Sequence, residues 1–373
     1  MKRLLISFPV FLLLAGCGAF SFSSKASESE HFSVMLWNVQ AFFDGNEDGS
    51  EYAEYSEASG WTPEKYRARV TTISQAIQQI MPSGNTSTAV TSAAAPAVPG
   101  LIGFVEIENA GILEDLAAGA LSKYGYNWTA FANLEGSPLG LGVLSRYPIK
   151  EARSHSITVG EATAPRPVLE VRIEPRDKPL IFLLCHWKSK LGKETESLRQ
   201  ASAKVVQRRL RELGEAETPV VIMGDLNENH DEFFLRGGTE LSALLPDDPG
   251  AAALAKKAQR LSAGPNVPWG FLVLSGERPP RSLAMENVPA VYSPWMEDTG
   301  GGSYFFRGEW ETIDHFLLSD ILFDGAGWDF SGFQVLDSEP FIGSGGEPNA
   351  YIPRNGRGLS DHLPLMLYLK DFQ

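Results

Sequence analysis

The sequence predicts a single α/β domain. Apolar strand-like runs alternate with helical stripes from near His31 to the C-terminus, and no internal repeat divides the chain. A third observation concerns polarity. Five short polar segments, around Asn38, Glu106, Asp225, Asp314 and Asp361-His362, each follow or lie within an apolar run. That pattern sets reactive groups at the ends of buried strands.

The chain of 373 residues opens with Lys2 and Arg3 before an apolar stretch, Leu4 to Leu14, too short to span a bilayer as a helix. Leu14-Ala15-Gly16-Cys17 resembles a bacterial lipobox. The expected organisation is a signal peptide over 1–16, a tether over 17–30 lipidated on Cys17, and a folded domain over 31–373. An ordinary secretion signal with a chance cysteine is the alternative. Gly18 is not the aspartate that resembles an inner-membrane retention signal, so a lipid-anchored place in the bacterial envelope, at the outer membrane, is expected. Cys185 is the other cysteine and sits in an apolar run, where it reads as a small hydrophobe. With Cys17 lipidated, no intrachain disulfide is possible and burial must hold the fold. The formal charge is −14, or −16 without Lys2 and Arg3, which argues against tight non-specific grip on a polyanion. A bound divalent cation can reverse that sign locally.

The elements follow in order. Phe32 to Val39 reads as a strand with Val34, Leu36 and Asn38 on one face. Glu51 to Gly60 reads as a surface loop. Thr62-Pro63-Glu64 has the form of a helix start, with Thr62 as N-cap, and Val70, Ile73, Ile77 and Ile80 form the buried stripe. From 81 to 100 the composition becomes Ser, Thr, Ala and Pro without charge, a low-complexity insertion. Strands are expected at Leu101 to Val105, Gly140 to Leu144, Val168 to Ile173 and Pro179 to Cys185, the last two paired through the turn at Pro175. Helices are expected near Gly111 to Leu121 and over Glu196 to Leu213, with Gly214 as the stop. Pro219 to Met223 carries the chain to Asp225, and Glu228 to Phe306 reads as loop-rich.

The segments Leu36-Trp37-Asn38-Val39, Gly103-Phe104-Val105-Glu106, Gly142 to Pro148, Cys185-His186-Trp187-Lys188-Ser189, Gly224-Asp225-Leu226-Asn227, Ile313 to Ser319 and Ser360-Asp361-His362 together resemble the endonuclease/exonuclease/phosphatase superfamily, which includes deoxyribonuclease I-like enzymes. The resemblance implies a four-layer α/β sandwich, two packed mixed β-sheets flanked by helices, with the active site at one end. It also implies hydrolysis of phosphate esters with Mg²⁺, or Mn²⁺ in its place.

The residue types suit that chemistry. Phosphodiester hydrolysis needs negative charge neutralised, a water deprotonated and aimed, and a stabilised leaving oxygen. Glu106 is the candidate metal ligand, with Asn38 orienting it or a metal-bound water, and Asp361 facing the metal region. Asp225 and Asn227, two apart, point the same way if the chain is extended there, one as base and one as clamp. By resemblance, Asp314 bonds His362 and raises its pKa, and His186 offers a second imidazole to the phosphate. Asp225 and His362 both remain open as the base. Arg146, Lys188 and Arg307 are weaker candidates for substrate phosphates, and Arg166 lies beside the same motifs. Solvated strand ends are the alternative for these cations. Trp295, Tyr304, Phe305, Phe306 and Trp310 suit either base stacking or core packing. His31, His155, His230 and His315 read as structural or surface residues.

Gln40 stands where many apurinic-site nucleases carry a metal-binding acid, which weighs against a DNA-repair role. The leading expectation is an exported nuclease cleaving DNA or RNA. A phospholipase C-type enzyme or an inositol or lipid phosphatase is the second reading, and a non-catalytic binding lipoprotein the third. The envelope membrane is the expected partner through Cys17, and no protein partner is implied.

Overall fold

The computed structural model describes residues 31–81, 98–159, 162–163, 166–192, 195–214, 216–261, 270–281, 288–297 and 301–372. Cys17, the expected signal peptide and tether, and most of the 81–100 insertion lie outside the described residues.

Strand His31–Phe42 shows why the sheets pack as they do. Its even positions Phe32, Val34 and Leu36 enter a core between two sheets, while Met35, Trp37 and Val39 enter a second core on the helix side. A strand buried on both faces must be central. It is the third of six strands, in spatial order Gly327–Val335, Leu365–Phe372, His31–Phe42, Leu101–Ile107, Gly140–Ser145 and Trp128–Ala132. The second sheet has eight, in the order Leu244–Pro246, Leu272–Ser275, Ala290–Tyr292, Asp314–Leu318, Val220–Asp225, Leu180–His186, Val168–Ile173 and Ile149–His155. Both sheets mix parallel and antiparallel pairs.

Helix Pro63–Gln79 covers the first sheet with Tyr66, Ile73 and Ile77, and helix Ala110–Ala118 adds Ile112, Leu113 and Leu116. Thr62 caps the first of these, accepting from Lys65 N at 3.3 Å. Helix Thr195–Gly214 covers the second sheet with Ala203, Val206 and Leu210. The order helices, sheet, sheet, helix is the expected four-layer sandwich.

Two stretches hold more structure than the sequence pattern shows. Among the described residues, 228–306 is loop-rich as expected but also contains helix Pro249–Leu261 and three strands of 3–4 residues that extend the second sheet. Strands so short carry no readable period, and neighbouring strands rather than local pattern call them out. The segment 51–60 is a largely exposed loop, as expected, built of two short 3-10 turns that bury Tyr55.

Register does the rest. Asp225 pairs directly with His186 on one neighbouring strand and with Asp314 on the other, so the three stand in a row across the sheet. Gly224 makes that approach possible. Its φ is +145°, and a Cβ there would lie 1.9 Å from Cys185 O. In the first sheet, Asn38 pairs with Val105, one residue before Glu106. His31 begins its strand roughly 23 Å from Asn38, at about 3.3 Å per residue. His31 therefore lies at the end of the strand remote from these polar groups.

Candidate active site

The two rows face each other across the sandwich end. His186 Nε2 lies 3.7 Å from Glu106 Oε1 and 3.6 Å from Asp225 Oδ2. Ligand-type atoms of Glu106, His186 and Asp225 all fall within 4.8 Å of one another. Asn38 Nδ2 donates to Asp225 Oδ2 at 3.0 Å, and Asn227 N donates to Asp225 Oδ1 at 2.9 Å. Asp225 is thereby fixed at both oxygens.

Asp314 and His362 pair as expected, Nδ1 to Oδ2 at 2.7 Å. The loop bearing His362 is pinned to the first strand: Trp37 Nε1 donates to His362 O at 3.0 Å, and Ser360 Oγ donates to Asn38 O at 2.6 Å. Tyr304 stacks on the His362 ring at 4.5 Å. The hairpin that carries it, Tyr304–Phe306 and Glu309–Glu311, forms a wall beside His362.

Electrostatics follow from burial and like charge. Burial raises Asp225 to about 7, with the Asp314 and Glu106 carboxylates adding to the rise and His362 opposing it. Burial also raises Asp361, again with Glu106 adding and His362 opposing. For His362 burial pulls the pKa down, but the Asp314 carboxylate, with Asp361 and Asp225 adding to it, carries the imidazole up to about 10. Burial holds His186 well below the ordinary imidazole value, helped by Arg166, His362 and Lys188. The site thus sets a neutral imidazole, a charged imidazole and several crowded carboxylates side by side.

That crowding fits a divalent cation. Glu106, Asp225 and Asp361 repel one another, and hard oxygen donors of this kind suit Mg²⁺ or Mn²⁺. Asp314 Oδ1 is also buried without a hydrogen-bond partner.

Several expectations change in detail. Asn38 orients Asp225, not Glu106: its amide nitrogen serves Asp225, and its oxygen accepts from Gln40 N at 3.1 Å. Asn227 is not extended. The strand ends at Asp225, and Asn227 has φ +53° with its amide donating to Trp187 O at 3.1 Å. Lys188 is close enough to His186 to depress it. Arg146 does not join the site. It follows the Gly140–Ser145 strand, its N bonds Gly100 O at the start of the Glu106 strand, and its guanidinium reaches Tyr124 O at 2.8 Å. An antiparallel neighbour necessarily carries its last residue to the opposite end. Arg307 is at the exposed hairpin tip, 5.0 Å over the Phe306 ring. Trp295 is core, and its Nε1 donates to Asp314 O at 2.8 Å. His315 is buried and pairs through Nε2 with Glu228 O at 2.8 Å, a structural role.

Sequence reasoning missed Ser303. Its Oγ donates to Asp314 Oδ2 at 2.6 Å, the oxygen that also holds His362. A serine after Gly300-Gly301-Gly302 carries no signal in the sequence. Gln40, which stands in place of that metal-binding acid, accepts through Oε1 from Tyr351 N at 2.7 Å and Asp361 N at 3.1 Å.

Residues 33–244 match the endonuclease/exonuclease/phosphatase family. The chain belongs to this family. Endonuclease/exonuclease/phosphatase proteins are typically metal-dependent phosphoesterases, in keeping with the donor set above. Among similar solved structures, a humanized D. rerio TDP2 carrying 14 mutations is 13% identical with TM-score 0.51, covering 92% of this chain and 100% of that one. Selenomethionine TDP2 from Caenorhabditis elegans is 12% identical with TM-score 0.50, covering 91% and 74%. At these identities the likeness is one of fold. Comparison with curated proteins gave no match.

Proposed function

We propose that this endonuclease/exonuclease/phosphatase protein is an exported, divalent-metal-dependent phosphodiesterase acting on nucleic acid. The observation that carries the reading is Asp225: a buried carboxylate held at both oxygens and raised to about 7, between His186 and the Asp314–His362 pair. A carboxylate fixed at both oxygens, with a pKa near neutrality in the metal-free site, is suited to taking a proton from water. His362, kept cationic by Asp314, is suited to a phosphate oxygen rather than to proton abstraction. Neutral His186 donates or accepts one hydrogen bond beside it. Asn227 steadies the Asp225 carboxylate through its backbone N–H and anchors its own amide on Trp187 O. Glu106 and Asp361 would hold the metal, which supplies positive charge to the phosphoryl oxygens.

One feature supports nucleic acid over a lipid headgroup. The hairpin wall offers half-buried Tyr304 and Phe306, which stack on each other beside His362, and exposed Arg307 for stacking and phosphate contact.

The test is hydrolysis of plasmid DNA, RNA, sphingomyelin and inositol phosphates by the purified protein with Mg²⁺, Mn²⁺ or EDTA. Cleavage of DNA or RNA that EDTA abolishes is expected. Turnover only of a lipid or inositol headgroup would overturn the substrate, and silence on all four would overturn the enzyme reading. The envelope location is tested separately. Cys17→Ser should move the protein from membrane to soluble fractions with unchanged specific activity; a variant that stays with membranes removes the anchor.

A further inference from the structure

Arg69 lies on helix Pro63–Gln79 and is only 1% exposed. Its partners are carbonyls and a phenol. Nη2 donates to Val39 O at 2.6 Å and Gln40 O at 2.7 Å, and Nη1 to Ala41 O at 2.9 Å and the Tyr55 hydroxyl at 3.3 Å. The guanidinium lies 3.8 Å from the Tyr351 ring centroid and 4.7 Å from that of Phe42. Burying a cation on such partners is costly, and an apolar side chain would join helix to sheet at lower cost.

The backbone it grips explains the expense. Gln40 and Ala41 both have φ +50°, a left-handed turn that non-glycine residues rarely adopt. The turn sends three successive carbonyls toward Arg69 and its N–H groups toward the site. Gln40 N donates to Asn38 Oδ1 at 3.1 Å, and Ala41 N donates to Glu106 Oε2 at 2.8 Å. That bond leaves Glu106 Oε1 facing His186. The Gln40 side chain receives Asp361 N at 3.1 Å. One turn therefore sets Asn38, Glu106 and Asp361 at once.

We propose that Arg69 is a positioning residue of the metal site: it holds the 39–41 turn in the backbone conformation that presents Asn38, Glu106 and Asp361 together. The inference rests on the metal-dependent reading above. It assigns Arg69 no contact with substrate. Arg69 acts through peptide groups, and its fixed charge sits behind the carboxylates on the side away from the cleft.

The experiment measures Mn²⁺ affinity of the full-length protein by calorimetry or electron paramagnetic resonance, alone and without substrate, for wild type, Arg69→Lys and Arg69→Met. Circular dichroism and Tm accompany each. Lysine keeps the charge but cannot fork across three carbonyls. Arg69→Lys should fold and bind Mn²⁺ about tenfold more weakly, and Arg69→Met, where folded, about 100-fold more weakly. Excess Mn²⁺ should restore much of the lost rate. An Mn²⁺ Kd within about twofold of wild type in folded Arg69→Lys, beside a lowered Tm, would leave Arg69 a merely structural role and overturn the inference. No Mn²⁺ binding by wild type would overturn it together with the metal reading. Weakened Mn²⁺ binding in a protein that cleaves no nucleic acid would uphold Arg69 and remove only the substrate.

Discussion

Asp225→Asn should abolish phosphodiesterase turnover and raise the melting temperature of the metal-free protein at pH 8. The loss follows from removing the proposed base, about 10²–10⁴ in rate from that role alone. The substitution keeps the side-chain shape and an oxygen able to accept from Asn227 N; it gives up the bond from Asn38 Nδ2, a local cost of about 1–3 kcal/mol that is the same at every pH. The gain in stability follows from the direction of the shift. The folded-state pKa is about 7 against an ordinary 3.8. Between those values the folded protein holds a proton that the unfolded chain has released, so this group lowers stability as the pH rises through that window. Asparagine carries no such term. In EDTA the Tm difference should therefore be larger at pH 8 than at pH 4, and scanning calorimetry at the two values reads it directly. A variant that retains robust turnover removes the base assignment. One whose Tm gain is the same at both pH values removes the electrostatic account.

The second large effect concerns Asp314 and His362. His362→Ala should lose about 10³–10⁴ in kcat/KM and Asp314→Ala about 10²–10³, with the double variant no worse than His362→Ala alone. Non-additivity is expected because the chief task of Asp314 is to keep His362 oriented and charged through the 2.7 Å bond. Without that carboxylate, burial is opposed chiefly by the weaker pull of Asp361 and Asp225, and the imidazole pKa falls. Residual activity of Asp314→Ala should then decline as the pH rises through neutrality, where the wild type keeps its cation. Additive losses, or a pH profile parallel to wild type, would separate the two residues.

Amino-acid order alone carries more of the chemistry than of the geometry. Strand-end polar groups at Asn38, Glu106, Asp225, Asp314 and His362 were legible because each follows an apolar run, and a reactive group at the end of a buried strand leaves a local pattern. The long elements were legible for the same reason: Thr62 before Pro63 marks a helix start, and the alternation around Val168 marks a strand. Tertiary structure alone decided which groups meet. Cross-strand register, with Asp225 beside both His186 and Asp314, sets pairs that are far apart in sequence. Antiparallel pairing carried Arg146 away from the site although its motif lies among the others. The short strands between Glu228 and Phe306 exist only because neighbours supply their hydrogen bonds. Ser303, Gln40 and Arg69 act through bonds to atoms as many as 321 residues away or through backbone in a left-handed turn. No local pattern encodes a partner that only folding brings within reach.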